Sequence, residues 1–432
     1  MKQLNSFILI FFIVVLSFPA QAQNGKIKRG DKYYEWMAYP IAIRKYEKGL
    51  KKDRDLRAME RIADAYRQVG NTVSAEKWYA EVVKTTGAAP INMLHYGQVL
   101  KSNGKYMEAR KWFAAYLQTG EAPKVAARFI ESCDFAMEGR KDSARYTITA
   151  EPFNTKRSEF GPIITAEGMI FAAEKPGGCV RRLNLRNENF FYDLYTMKRT
   201  TKKKGYKLKR LKGKVNRKYH EGPAVLNRKQ NMMYFTRSNF VADKKAKNGK
   251  NLSRLKIFSS SPSKGKWKNV EELPFNSEEY SCGHPALSKD GNTMYFSSNR
   301  PGGFGGTDLY MSRKEGDSWG TPRNLGSAIN TEGDEEFPYM HAGGTLFFAS
   351  TGLPGYGGFD IFSAKPSGAG WETPVNLGYP LNTSGDEFTM AWINNRPAGY
   401  FASDRDGDDD IYKFSRKMEI RGVIVDSRTA AP

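Results

Sequence analysis

From residue 57 the apolar positions recur with a helical period. Met59, Ile62, Ala63 and Tyr66 fall on one face, Gly70-Asn71 interrupts the pattern, and Ala75, Tyr79 and Val82 fall on the next. The same arrangement returns 34 residues later, with Gly97 for Ala63, Leu100 for Tyr66, Ala109 for Ala75, Phe113 for Tyr79, and Asn103-Gly104 at the turn. A fixed period of this length predicts stacked helix pairs rather than an irregular bundle. Ala42 and Tyr46 predict the second helix of an earlier pair, and Val125 to Met137 a closing helix.

From about Ala144 the period changes to the alternation of strands broken by Gly, Pro, Asn and Asp. The dipeptides Ile170-Phe171, Tyr234-Phe235, Tyr295-Phe296, Phe347-Phe348 and Tyr400-Phe401 mark five units. Four of them carry an Asp-apolar-aromatic triplet downstream: Asp193-Leu194-Tyr195, Asp308-Leu309-Tyr310, Asp360-Ile361-Phe362 and Asp410-Ile411-Tyr412; the second unit has Lys256-Ile257-Phe258 instead. Trp319-Gly320-Thr321-Pro322 recurs 52 residues later as Trp371-Glu372-Thr373-Pro374. Units of four short strands repeated in this way predict a β-propeller of five blades, with six as the alternative count. The fold class expected is therefore a multidomain α plus all-β chain: helical repeats over 23–142, a propeller over 143–417, and a strand over 418–432 that opens a further sandwich. Eight residues, Glu138 to Arg145, join the two repeat regions, so one rigid unit is expected, with Phe129 and Phe135 covering the propeller's side.

Lys2, the apolar run Phe7 to Leu16 and Ala20-Gln21-Ala22 read as a secretory signal peptide over 1–22, too short to cross a bilayer as a helix. Export to an envelope compartment is expected. Cys133, Cys179 and Cys282 are too few and scattered for a disulfide framework, so free thiols are expected, with a Cys179–Cys282 bridge as the minor alternative.

The net charge of +22 is uneven: twelve Lys or Arg and no acid lie between Lys198 and Lys218. Lys202, Lys203, Lys204, Lys207 and Lys209 are the candidates for binding an anionic lipid or glycan surface, on what is expected to be an exposed insertion; a merely solvated loop is the plain alternative. No nucleic acid partner is expected, because export removes the chain from it and no recognition motif is present.

Asp404, Asp406 and Asp408 form a weak calcium candidate, set against an acidic blade turn, because an EF-hand beginning there would need Gly and Glu where Asp409 and Ser415 stand. His284-Pro285 aligns in sequence with Gly161-Pro162, Gly222-Pro223 and Phe337-Pro338 and reads as a structural position. The other histidines lack ligand spacing, and neither a nucleophile elbow nor a phosphate loop is present. No catalytic residue and no cofactor is expected. Trp267, Trp319 and Trp371 favour glycan binding only if exposed, and their register argues that they pack within blades.

The 34-residue pairs resemble tetratricopeptide (TPR) repeats, and Ser297 to Tyr310, SSNRPGGFGGTDLY, resembles the TolB-like propeller repeat of Bacteroidetes OmpA-family envelope proteins. Signal peptide, TPR-like helices and such a propeller together resemble the PorE-like accessory proteins of the type IX secretion system. The resemblance implies a non-catalytic periplasmic scaffold at the outer membrane whose partners are envelope proteins. It also implies that Ile420 to Thr429 opens a carboxypeptidase-regulatory-like sandwich. A glycan- or peptidoglycan-associated binding protein is the second class, and a propeller hydrolase the third.

Overall fold

The computed structural model describes residues 24–139, 145–174, 184–200, 205–217, 219–239, 254–368, 370–394 and 396–417. The expected signal peptide, Cys179, Lys202 to Lys204 and the expected sandwich strand lie outside the described residues. Among the described residues seven helices come first: α1 Gly25–Glu35, α2 Tyr39–Leu50, α3 Leu56–Gln68, α4 Thr72–Val82, α5 Ile91–Ser102, α6 Tyr106–Gln118 and α7 Pro123–Gly139. Their ends follow local chemistry. The Asp55 carboxylate accepts the Ala58 N–H at 2.7 Å and the Asn71 amide oxygen the Ser74 N–H at 3.0 Å, which satisfies amides that have no helical acceptor. Gly70 and Gly104 follow α3 and α5 at φ of 74° and 72°, where a side chain would be strained.

Each pair closes by setting a large ring on a small residue. A Cβ on Gly97 would lie 2.5 Å from the Phe113 ring, and one on Gly30 would lie 2.6 Å from the Tyr46 ring. The pair α1–α2 is thus a full first repeat, whose small and large positions stand 33 residues before Ala63 and Tyr79. Two apolar clusters run along the array, one around Tyr46 and Ile62, the other around Phe113 and Ala109.

Five sheets then form the blades of the propeller. Their first strands are Glu159–Thr165, Glu221–Leu226, Cys282–Leu287, Glu335–Met340 and Glu387–Trp392, and each of these packs on its neighbours in the next blades until the fifth meets the first. The aromatic dipeptides lie on the second strands, and the triplets Leu194, Ile257, Leu309, Ile361 and Ile411 on the third. Blade 5 takes its outer strand from the other end of the domain: Tyr146–Ala150 pairs antiparallel with Asp410–Arg416, Ile148 opposite Phe414. Ring closure thus rests on main-chain hydrogen bonds between the first and last strands, which cover the edge of the last strand.

A repeated lock joins each blade to the next. The side-chain amides of Asn154, Asn216, Asn276, Asn330 and Asn382 each accept from the N–H and donate to the C=O of one triplet residue: Ile411, Leu194, Ile257, Leu309 and Ile361 respectively. The buried carboxylates Glu159, Glu335 and Glu387 each accept from a threonine N–H and hydroxyl four residues earlier, on Thr155, Thr331 and Thr383. Glu221 meets Arg237 at 3.2 Å, and in blade 3 Cys282 takes the carboxylate's place.

Candidate functional site

Three places gather polar or unusual side chains: the junction of helices and propeller, the propeller axis, and the axial mouth on the hairpin-turn side. At the junction, the blade 4 loop 354–358 seats against α5 and α7. The Tyr356 ring is 1 % exposed and lies edge to face on Phe135, with ring centres 5.3 Å apart. Gly139 lets it in, since a Cβ there would lie 2.0 Å from the tyrosine hydroxyl. The Gly355 N–H donates to the Ser132 hydroxyl at 3.2 Å. The buried Lys101 ammonium donates to the Gly357 carbonyl and faces the Asp360 carboxylate. Burial pulls this ammonium below its usual range and pushes Asp360 up to about 6, while their mutual attraction opposes both shifts. A second contact joins the array to blade 1: Arg44 pairs with Glu188 at 2.7 Å and the Arg186 guanidinium donates to Gln68 at 3.0 Å. Phe135 thus covers the propeller as expected, whereas Phe129 does not; it stacks on Phe113 inside the array at 4.8 Å.

At the axis lies a cavity of about 410 Å³ lined by His220, His284, Glu336, Asp386 and Asp409 together with Phe160, Phe337 and Phe388. Burial pushes Glu336 up to about 7 and Asp409 up to about 6, raises Asp386, and lowers His284 to about 3. These acids also have local tasks: Asp386 accepts the Phe359 N–H at 2.7 Å, and the Asp386 N–H donates to Asp404 at 2.6 Å. Ser297, His284 and Glu336 contain the residue types of a hydrolytic triad without its geometry. The Ser297 hydroxyl lies 2.9 Å and the Glu336 carboxylate 3.4 Å from the same ring nitrogen, Nδ1, and Ser297 is buried. A proton relay needs the acid and the nucleophile on opposite nitrogens.

Strand register corrects the sequence alignment of this ring. Ile163, Val225, Ala286, Tyr339 and Ala391 face the first residue of each aromatic dipeptide, so His284 corresponds to Pro223, Gly161, Phe337 and Thr389, not to Gly222. His284 stacks on Phe337 with ring centres 4.0 Å apart, as befits a packing position. On the hairpin-turn side the axis widens into an open mouth of about 330 Å³, lined by Ile164, Arg228, Lys289, Tyr339, Met340 and Trp392.

The acidic turn of blade 5 is spread out. The Asp404 carboxylate accepts the Asp386 N–H, Asp406 accepts the Tyr412 hydroxyl at 2.6 Å, and Asp408 is exposed. Among the described residues no three such groups converge as metal ligands would. Lys207 and Lys209 project from Tyr206–Arg210, the regular outer strand of blade 1, and Lys212 and Lys214 pair through their main chains with Trp267 of blade 2. The described part of the basic segment is therefore blade structure, not an insertion. Trp319 is buried edge to face on Tyr234 at 5.6 Å, and Trp371 lies on Tyr295 at 6.2 Å, each joining a blade to the previous one. Trp267 is half-buried in the core of blades 1 and 2, and these packing roles remove the support for glycan stacking. Cys133 and Cys282 are buried free thiols.

Sequence reading missed the asparagine locks and the glutamate ring. Their signal was present: Asn stands five residues before Glu at 154/159, 216/221, 330/335 and 382/387, and six before Cys282 at Asn276.

No family model and no curated protein matches this chain. Among solved structures, the first TPR domain of Spaghetti (RPAP3) bound to an HSP90 peptide is 21 % identical over 26 % of this chain and 91 % of that one, with a TM-score of 0.25. TolB from Acinetobacter baumannii is 14 % identical over 62 % and 57 %, with a TM-score of 0.32. The β-xylosidase/α-arabinofuranosidase CoXyl43 from a compost metagenome is 11 % identical over 63 % and 94 %, with a TM-score of 0.40. The element order and strand pairing of the described residues establish the architecture, an array of seven helices in stacked pairs followed by a five-bladed propeller.

Proposed function

We propose that this chain is a non-catalytic scaffold of the periplasm, associated with the outer membrane, which fixes protein partners relative to one another as an accessory component of the type IX secretion system. The observation that carries the reading is the seating of Tyr356 against α7 beside Lys101, which joins two repeat surfaces into one body. The ends of α3 and α5 are used inside the molecule, at Gln68 and Lys101. Partner contacts are therefore assigned to the exposed Trp36, Met37 and Met107 of the array and to the axial mouth of the propeller. The resemblance of the repeats to envelope proteins supports the compartment. The test is secretion of type IX cargo in cells that carry the chain with Tyr356→Ala and Lys101→Glu together. Loss of secretion at unchanged protein level is expected, and full secretion would sink the reading.

A glycoside hydrolase is the second reading, favoured by Glu336, Asp386 and Asp409 around one axial cavity. The backbone and histidine contacts of these acids argue against it. Turnover of an aryl xyloside or arabinofuranoside that disappears with Glu336→Gln would establish it in place of the scaffold.

A further inference from the structure

The blade 4 loop that holds Tyr356 has a twin in blade 3. Phe304-Gly305-Gly306-Thr307-Asp308 matches Tyr356-Gly357-Gly358-Phe359-Asp360, because Asp308 pairs with Ser298 as Asp360 pairs with Ser350. The loops share their internal hydrogen bonds. Asp308 accepts the Phe304 N–H at 2.7 Å, and Asp360 accepts the Tyr356 and Gly357 N–H groups. The Thr307 and Phe359 N–H groups donate to Asp334 and Asp386 at 2.9 and 2.7 Å. Their carbonyls accept from the main-chain N–H groups of Glu335 and Glu387 at 2.6 and 2.7 Å. Both need glycine after the aromatic residue, since a Cβ on Gly305 would lie 2.4 Å from the Thr331 carbonyl and one on Gly357 1.7 Å from that of Gly385.

Their surroundings differ. Tyr356 is 1 % exposed in its helical socket, whereas Phe304 is 48 % exposed on a rigid glycine loop. The buried Oδ1 atoms of Asp308 and Asp360 both lack a hydrogen-bond partner, and in blade 4 the ammonium of Lys101 faces that carboxylate. An aromatic ring on a preorganised loop beside a buried carboxylate is suited to act as an anchor.

We infer that the blade 3 loop around Phe304 is a second docking knob, which seats in a helical-repeat partner protein as Tyr356 seats in this chain's own array. The partner's socket would repeat the chemistry already seen: a small residue where the ring enters, a neighbouring aromatic, and an amino group that reaches the Gly305 carbonyl and Asp308. A second copy of this chain is disfavoured as the occupant because Tyr356 already fills its socket.

The inference deepens the scaffold reading, and its test separates the two. In cells that naturally make the protein, the full chain carries a photoreactive benzoylphenylalanine in place of Phe304, of Met107, or of Val375, the last an exposed control on the outer strand of blade 4. Cross-links from position 304 to a helix of a helical-repeat protein, well above those from position 375, are expected. The purified partner should then bind Phe304→Tyr as it binds the native chain and Phe304→Ala at least about tenfold more weakly, the equivalent of about 1.4 kcal/mol. No excess of cross-links at position 304, cross-links to lipid or to a second copy, or unchanged binding by Phe304→Ala would overturn the inference. Protein cross-links from position 107 alone would leave the scaffold reading standing and remove only the knob.

Discussion

The rings of Phe135 and Tyr356 meet edge to face, with centres 5.3 Å apart and planes at 66°. One belongs to the last helix of the array and the other to the fourth blade of the propeller, more than 200 residues later. Such ring pairs contribute about 1 kcal/mol beyond the area they bury. The junction adds the buried Lys101 ammonium, whose desolvation is offset only while the Gly357 carbonyl and Asp360 face it.

Tyr356→Ala should therefore loosen the array from the propeller without unfolding either. Truncating a buried aromatic side chain costs roughly 3 kcal/mol. Hydrogen exchange should rise in the second half of α7, and scattering should report a wider range of shapes. Unchanged exchange in α7 would show that the junction does not depend on this ring.

Asn382→Ala should be among the most harmful polar substitutions in the propeller. It leaves the main-chain N–H of the buried Ile361 without its partner, while the Ile361 C=O loses one of two donors and keeps the Leu377 N–H at 3.1 Å. A buried polar group left unpaired costs about 1–3 kcal/mol, so a loss of about 2 kcal/mol is expected in denaturant unfolding. Asn382→Asp should fail as well, because a carboxylate cannot donate to the Ile361 carbonyl. A loss under about 0.5 kcal/mol, typical of a neutral surface site, would refute the lock.

Thr149→Pro tests the closure of the ring, because Thr149 stands in a hydrogen-bonded pair with Lys413 whereas the N–H of Ile148 points away from the last strand. Proline breaks the ladder between Tyr146–Ala150 and the last strand, at a cost of about 3 kcal/mol by analogy with its effect in other regular structure. Thermal unfolding should begin at a lower temperature, with the earliest exchange in Asp410–Arg416. Early exchange in a different blade would place the weak seam elsewhere.

Stability should fall as the solution is made more alkaline between about pH 5 and pH 8. Burial raises Glu159 and Glu336 to about 7 and Asp409 to about 6. An acid whose folded pKa lies above its unfolded value keeps its proton longer in the folded state. The folded chain then binds more protons across this window, so its stability is greatest below the unfolded value and declines as pH rises through the folded one. The melting temperature should be higher at pH 5.5 than at pH 8, and Glu336→Gln should flatten the difference. A melting temperature that rises across this range would contradict the assignment.

Much of the architecture was legible along the chain because it repeats. The helix pairs announced themselves through Ala63 and Gly97, whose small size lets Tyr79 and Phe113 approach, and the blades through aromatic dipeptides that fill the same layer five times. The first repeat was read only in part, because Gly30 stands 33 rather than 34 residues before Ala63. In the second blade Gly222 was matched to His284 one position out of register, since the shared X-Pro dipeptide aligned Pro223 with Pro285 and only the facing strand shows that Pro223 itself stands at the His284 position. The locks of Asn154, Asn216, Asn276, Asn330 and Asn382 escaped notice because asparagine in a connector reads first as a turn residue.

Local periodicity, small-residue spacing and turn chemistry determined the two repeat types and where each begins, because each is set by contacts a few residues apart or repeated at a constant interval. Three things were decided by the tertiary structure alone. Tyr146–Ala150 completes the fifth blade, a pairing between ends that no local pattern encodes. Lys101 is buried in the propeller, although on its own helix it is one more lysine near a C-terminus. Phe304 and Tyr356 occupy twin loops with opposite exposure, because the array covers blade 4 and leaves blade 3 open. The physical reason is the same in each case: burial depends on which distant surface the folded chain brings against a side chain, and a one-dimensional pattern carries its period but not that neighbour.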